Sequence, residues 1–211
     1  MRFGQKLRDS IYEPWKEQYI EYSKLKYLLR EDSTFQDDNT KWTEQDEQKF
    51  CDELLNVQLD KIADFQESTL KQLERHATEC SEKLKELAPG DDSAPKDDIT
   101  TARFKEVEAE LDSITNEVKE LKNYSSLNYT GFLKIVKKHD RKRGGNYKVR
   151  PILQLRLAKR PFNSEGVYTP LLNKLSMMYH VVSENGNQHS TDTLTTVEAE
   201  SEERYTAYKC K

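Results

Sequence analysis

The sequence predicts an all-α protein, an N-terminal helical hairpin packed on two long antiparallel helices, with short helices toward the C-terminus. Three observations carry this prediction. Apolar residues recur in alternating steps of three and four over residues 55–87 and again over 104–121, the heptad spacing of helices packed side by side. Only seven Gly and six Pro interrupt 211 residues, which permits long helices. Apolar residues make up 35 % and charged residues 34 %. A compact globule has about 45–50 % and about 25 %. The composition instead suits narrow helices that bury one stripe and solvate the rest.

The first element spans residues 2–12, where Phe3, Leu7 and Ile11 fall on one stripe. Pro14 breaks it, because proline disfavours the helical state in the preceding residue. A second helix over 15–31 completes the hairpin. On a 100° wheel Ile20, Lys24, Leu25, Tyr27 and Leu28 share one side. Tyr19, Tyr22, Ser23, Lys26 and Arg30 share the other, a polar face unusually rich in tyrosine. Residues 32–41 read as a loop. Thr43, with Glu44 and Asp46 in the first turn, opens a long helix to about residue 88. Its seam is Leu55, Leu59, Ile62, Gln66, Leu70, Leu73, Ala77, Cys80, Leu84 and Leu87. Gln66 in that seam is read as a register residue. Ala88-Pro89-Gly90-Asp91 ends the helix.

A second long helix is expected over 99–142, with the seam Phe104, Val107, Leu111, Ile114, Val118 and Leu121. The antiparallel pair should be roughly 60 Å long at the α-helical rise. Asn128-Tyr129-Thr130-Gly131 lowers helix propensity and marks a candidate kink before the stripe resumes at Phe132, Ile135 and Val136. Gly144-Gly145 closes the helix. Residues 147–182 form one or two shorter helices, split near Pro161-Phe162-Asn163, with Leu171, Leu172, Leu175, Met178 and Tyr179 as a packing face. Residues 183–203 are acidic and polar and read as a flexible linker after a domain of residues 1–182. Arg204–Lys211 alternates like the first strand of a following domain.

Net charge is −4, which gives no sign of a nucleic-acid partner. The distribution is uneven: residues 134–160 hold 11 Lys/Arg and one acid, Asp140, and the remainder carries −14. A basic block on an acidic body suits a local anion site. Cys51, Cys80 and Cys210 are far apart and odd in number, so they read as reduced thiols of a cytosolic protein. No apolar run reaches the roughly 18 residues of a membrane span. Membrane attachment, if any, must come from other parts or subunits.

Lys134, Lys137, Lys138 and Arg141 fall within one arc of the second long helix, opposite Phe132 and Val136. Like charges at this spacing weaken an isolated helix by a few tenths of a kcal/mol per pair, roughly. A multivalent anion would offset that repulsion, whereas a solvated basic helix end, favoured by the macrodipole, is the plainer alternative. Tyr22 and Lys26, at i and i+4, offer a phenol and an ammonium to the same phosphate. An exposed tyrosine beside a surface lysine is again the plainer reading. No catalytic residue or metal site stands out: there is no Walker loop, GxSxG or HExxH. His76, His139, His180 and His189 are dispersed, and His139 lies on the apolar side of its helix as a packing residue.

Met1-Arg-Phe-Gly-Gln-Lys-Leu, followed by Trp15-Lys-Glu-Gln-Tyr-Ile-Glu-Tyr-Ser-Lys-Leu-Lys, resembles the opening hairpin of SPX domains. Leu127-Asn-Tyr-Thr-Gly-Phe-Leu-Lys-Ile-Val-Lys-Lys-His-Asp-Arg resembles their basic helix. The resemblance covers about residues 1–182. The Lys-His-Asp wording and the Asn-Tyr-Thr-Gly run look most like the SPX domains of the vacuolar transporter chaperone type, attached to a polyphosphate polymerase. This resemblance implies a phosphate-status sensor that binds inositol hexakisphosphate or inositol pyrophosphates and needs no cofactor. It also implies partnership with other chaperone-complex subunits at the cytosolic face of the vacuolar membrane. The piece itself is expected to be no enzyme, with any polymerase domain lying past residue 211. The implied ligand residues are Tyr22, Lys26, Lys134, Lys137, Lys138 and Arg141, with Arg2 where the family usually has lysine. Whether Lys137 or Lys138 faces the centre stays open. A coiled-coil adaptor and an anionic-lipid module are the alternative readings.

Overall fold

The computed structural model describes residues 3–30, 42–87, 98–143, 148–160 and 165–185. It is all-α, with no strand among the described residues. The helices are α1 Phe3–Asp9, α2 Tyr22–Leu28, α3 Glu44–Asp52, α4 Leu59–Leu87, α5 Asp98–Lys142, α6 Val149–Ala158 and α7 Thr169–Asn185. A 3₁₀ turn, Glu13–Gln18, lies between α1 and α2, and a π-helical segment, Glu53–Gln58, joins α3 to α4. Among the described residues no helix is long and apolar enough to cross a membrane. Residues 183–185, expected to open the linker, instead end α7. The rest of the expected linker, 186–203, the strand at Arg204–Lys211, Cys210 and Arg2 lie outside the described residues.

The chain divides into two compact units, Met1–Glu67 with Tyr124–Asn163, and Ser68–Asn123 with Ser164–Lys211. In the second unit the heptad seams are buried as expected except at Leu70 and Leu87, which are half-buried. Leu73, Ala77, Cys80 and Leu84 on α4 and Phe104, Val107, Leu111, Ile114, Val118 and Leu121 on α5 all lose nearly all solvent contact. Lys83 bridges to Glu110 at 2.6 Å. Cys80 donates to the same carboxylate at 3.1 Å, and burial followed by Glu110 pushes its thiol up to about 12. Tyr179 on α7 donates to Asp112, so its buried hydroxyl is satisfied.

The first unit departs from the simple hairpin. Helix α1 stops at Asp9, well before Pro14, and Pro14 sits in the first turn of the 3₁₀ segment, where its missing N–H costs nothing. The single helix expected over 15–31 does not form. Residues 19–21 are non-helical, and α2 starts afresh at Tyr22. Its buried residues are Tyr22, Leu25 and then Leu29, whereas Tyr27 and Lys24, expected on the apolar side, are exposed. Arg30 ends the helix in the left-handed region (φ 53°). Thr43 caps α3 as expected, in a reciprocal box with Asp46. No kink is needed at Gly131: α5 runs unbroken from Asp98 to Lys142. A Cβ at Gly131 would lie 2.9 Å from Ile20 Cγ2 and 3.6 Å from Phe3, so the glycine is there for close packing.

Candidate anion-binding cleft

Four buried or half-buried polar side chains hold the break at residues 18–21 and so fix where α2 begins. Tyr124 on α5 donates its hydroxyl to the Gln18 carbonyl at 2.9 Å. Asn128, one turn on and fully buried, accepts from Ile20 N at 2.8 Å and donates to the Tyr124 carbonyl at 2.8 Å. Lys61 on α4 donates to the carbonyls of Glu17 and Tyr19 and to Glu21. Gln58, at the end of the π-helical segment, accepts from Glu21 N at 3.0 Å and donates to the Glu21 carboxylate. The Gln58 hydrogen bond, helped by Lys61, holds the Glu21 carboxyl below its ordinary range. Side chains thus satisfy Gln18 O, Tyr19 O, Ile20 N and Glu21 N, while Tyr22 N donates to the Ile20 carbonyl at 2.7 Å, as buried peptide groups require.

Around this clamp Trp15, Tyr19, Phe65 and Tyr124 pack edge to face. Phe3 of α1 meets Tyr22 of α2 in a T-shaped contact at 4.9 Å. Tyr19, read on the same helical face as Tyr22, is instead buried in the aromatic cluster, where its hydroxyl accepts from Tyr12 N. Arg30, from the same predicted face, pairs with Asp46 at 3.0 Å. That face therefore splits, and Tyr22 and Lys26 alone of its aromatic and basic members reach the cleft.

The cleft has a volume of about 800 Å³. From α5 it is lined by Lys134, Lys137, Lys138 and Arg141, from α2 by Tyr22 and Lys26, and from α1 by Phe3, Gly4, Gln5 and Arg8. Six of these ten are cations, and none is an acid. All six predicted site residues within the described chain are brought together; Arg2 falls outside it. Tyr22 is 4 % exposed. Lys26 and Lys138 are partly buried, while Lys134, Lys137 and Arg141 are exposed. Lys134, Lys137 and Arg141 belong to no ion pair among the described residues. Sequence reasoning missed Arg8 and Gln5. Their signal was modest: both lie on α1 away from the Phe3 and Leu7 stripe, and Arg8 follows Gly4 by one turn.

Four other cations of the basic block serve the fold. Lys142 and Arg143 donate to the carbonyls of Arg30 and Leu29 at the end of α2, and Arg143 lies 4.8 Å from the Trp42 ring. Arg156 donates to the Leu55 carbonyl at 2.8 Å and to Asn56 at 2.6 Å. Arg160 pairs with Asp60 at 2.6 Å. Between the two groups stands His139, fully buried and stacked on Phe50. Its ring nitrogens lie 3.0 Å from Asp140 and 3.0 Å from Glu47. Asp140 in turn accepts from Val149 N and Arg150 N at the start of α6. Burial opposes ionisation of Glu47, but hydrogen bonds from His139 and Trp42 outweigh it and lower its pKa. His139 is the packing residue expected, with a polar bridge added.

No protein-family model matches the chain. It is 37 % identical to vacuolar transporter chaperone complex subunit 2 of Saccharomyces cerevisiae, over 90 % of this chain and 22 % of that protein. It is 33 % identical to subunit 4 of the complex from Schizosaccharomyces pombe, over 92 % of this chain and 25 % of that protein. The chain thus spans about a quarter of the length of these relatives. Its fold matches the SPX domain of Chaetomium thermophilum glycerophosphodiester phosphodiesterase 1, solved with inositol hexakisphosphate. The TM-score is 0.58 at 20 % identity, over 87 % of this chain and 99 % of that one. By sequence the chain is a relative of vacuolar transporter chaperone subunits, and its fold is that of an SPX domain.

Proposed function

We propose that the cleft binds inositol polyphosphates and that the domain reports their level to an attached polyphosphate polymerase or its complex. The observation that carries this reading is the lining itself: six cations from three helices and no carboxylate. Such a cluster is self-repelling when empty and is neutralised by a multivalent anion through charge-assisted hydrogen bonds. Tyr22, Lys26 and Lys138 form the enclosed part of the site. Lys134, Lys137 and Arg141 form its exposed rim. Between the two lysines left open by the sequence, Lys138 is the partly buried one and takes the central role. The inositol hexakisphosphate bound by the SPX domain of similar fold supports the ligand class. The chaperone-subunit relatives support membership of such a complex at the vacuolar membrane, with this domain on the cytosolic side.

The test is calorimetric titration of inositol hexakisphosphate into the chain and into a Lys134→Ala/Lys138→Ala/Arg141→Ala variant. Binding by the first, with a steep loss on raising salt, and a large loss in the second are expected. Absence of binding by the unmodified chain, or equal binding by the folded variant, overturns the reading.

A further inference from the structure

We propose that Arg8 is a ligand contact on the α1 side of the cleft, and that it makes the site prefer anions with several closely spaced phosphates to a single phosphate. The proposal rests on the reading of the cleft as a polyphosphate site. Arg8 lines the same cleft as Lys26 of α2 and Lys138 of α5, so three separate helices contribute charge. Its guanidinium is held by a neutral group: Nη2 donates to Gln5 Oε1 at 2.7 Å. The Gln5 amide in turn donates to Asp9 Oδ1 at 2.8 Å. Asp9 thus orients Gln5 and does not neutralise Arg8, which joins no ion pair among the described residues.

An arginine carries five N–H donors in a planar fork, and Gln5 occupies only part of it. The remainder suits a phosphate, which a guanidinium grips with two parallel hydrogen bonds. Size completes the argument. A cleft of about 800 Å³ is on the scale of sites for whole small molecules and far exceeds one phosphate. A single phosphate satisfied by Tyr22, Lys26 and Lys138 leaves the α1 side unused. A ligand with several phosphates reaches both sides at once. Inositol hexakisphosphate and linear tripolyphosphate share this chemistry.

The experiment is calorimetry of inositol hexakisphosphate, tripolyphosphate and orthophosphate against four proteins: unmodified chain, Arg8→Ala, Arg8→Lys and Gln5→Glu. Circular dichroism and melting confirm folding. Arg8→Ala should weaken inositol hexakisphosphate by about tenfold or more and leave orthophosphate unchanged. Arg8→Lys keeps the charge without the fork and should fall between. Gln5→Glu gives Arg8 an ion-pair partner, so binding should fall without loss of melting temperature. Tripolyphosphate following inositol hexakisphosphate assigns the preference to phosphate spacing, whereas its insensitivity to Arg8 would overturn that part. If the unmodified chain binds and Lys138→Ala weakens it, but Arg8→Ala binds as tightly as before, this inference fails and the site reading stands. If the unmodified chain binds none of the three, both fail. An equal loss for orthophosphate in Arg8→Ala would overturn the claimed preference.

Discussion

Two groups of four cations in the basic block carry the same charge and have opposite roles. Lys134, Lys137, Lys138 and Arg141 face the cleft. Lys142, Arg143, Arg156 and Arg160 bond to carbonyls, amides and carboxylates of the same unit. A cation whose donors are taken by the protein stabilises the fold and has little left for a ligand. Cations such as Lys134, Lys137 and Arg141, which join no ion pair among the described residues, repel one another in the empty cleft, and that repulsion is offset when an anion arrives. The boundary falls at His139 and Asp140, which fasten the end of α5 to α3 and to the start of α6. Lysine and arginine counts therefore say little about function until their partners are known.

Swapping the roles experimentally gives the largest expected effect. Removing Lys134, Lys138 and Arg141 together should cost inositol hexakisphosphate affinity at least on the order of 100-fold, since charge-assisted hydrogen bonds are worth about 1.5–3 kcal/mol each and less on a solvated rim. Urea unfolding of the empty Lys134→Ala/Arg141→Ala double variant should show equal or greater stability. Arg143→Ala should do the reverse. It loses a carbonyl bond and the stacking on Trp42, so stability should fall by about 1–3 kcal/mol by urea denaturation, with ligand affinity of the folded fraction nearly kept. If Arg143→Ala instead abolished binding with unchanged stability, the division would be misplaced.

Gly131→Ala probes the support beneath the cleft. The new methyl would meet Ile20 Cγ2 at 2.9 Å, so Ile20, within the residue 19–21 break, must shift. A loss of about 1–3 kcal/mol is expected, with a secondary fall in ligand affinity. Arg160→Ala marks the small end of the series. Its pair with Asp60 is partly solvated (36 % and 48 % exposed), and its removal should cost under about 1 kcal/mol.

Acid separates stability from binding in another way. Glu47 and Glu21 have lowered pKa values in the fold, from an ordinary 4.5. Their contribution is complete above about pH 4.5 and is lost as pH falls through the lowered folded-state values. Melting temperature should therefore drop on acidification below about pH 4.5, and Glu47→Gln should flatten that drop. A flat profile in the unmodified protein would remove Glu47 and Glu21 from the account.

Much of this was legible in the sequence. The heptad seams placed α4 and α5, because burying a continuous stripe leaves a periodic trace. The wheel put four cations on one arc, and the structure lines the cleft with all four. Interactions across long sequence distances were not legible. The break before Tyr22 depends on Asn128, 108 residues from Ile20, and on Lys61, so local propensity favoured one continuous helix. The same blindness hid Arg8, whose place in the cleft depends on how α1 packs on Tyr22. It also left Lys137 and Lys138 equivalent, since depth in a cleft is not a property of one helix.

The central claim is that Lys26 and Lys138, 112 residues apart in sequence, share one anion. Thermal melting of the unmodified chain, Lys26→Ala, Lys138→Ala and the double variant, each with increasing inositol hexakisphosphate, tests it most directly. Ligand should raise the melting temperature of the unmodified chain as its concentration passes the dissociation constant. Each single variant should lose most of that rise, and the double should lose little more than either single, because groups on one ligand are coupled. Independent, additive losses, or full ligand stabilisation in Lys26→Ala, would contradict the account.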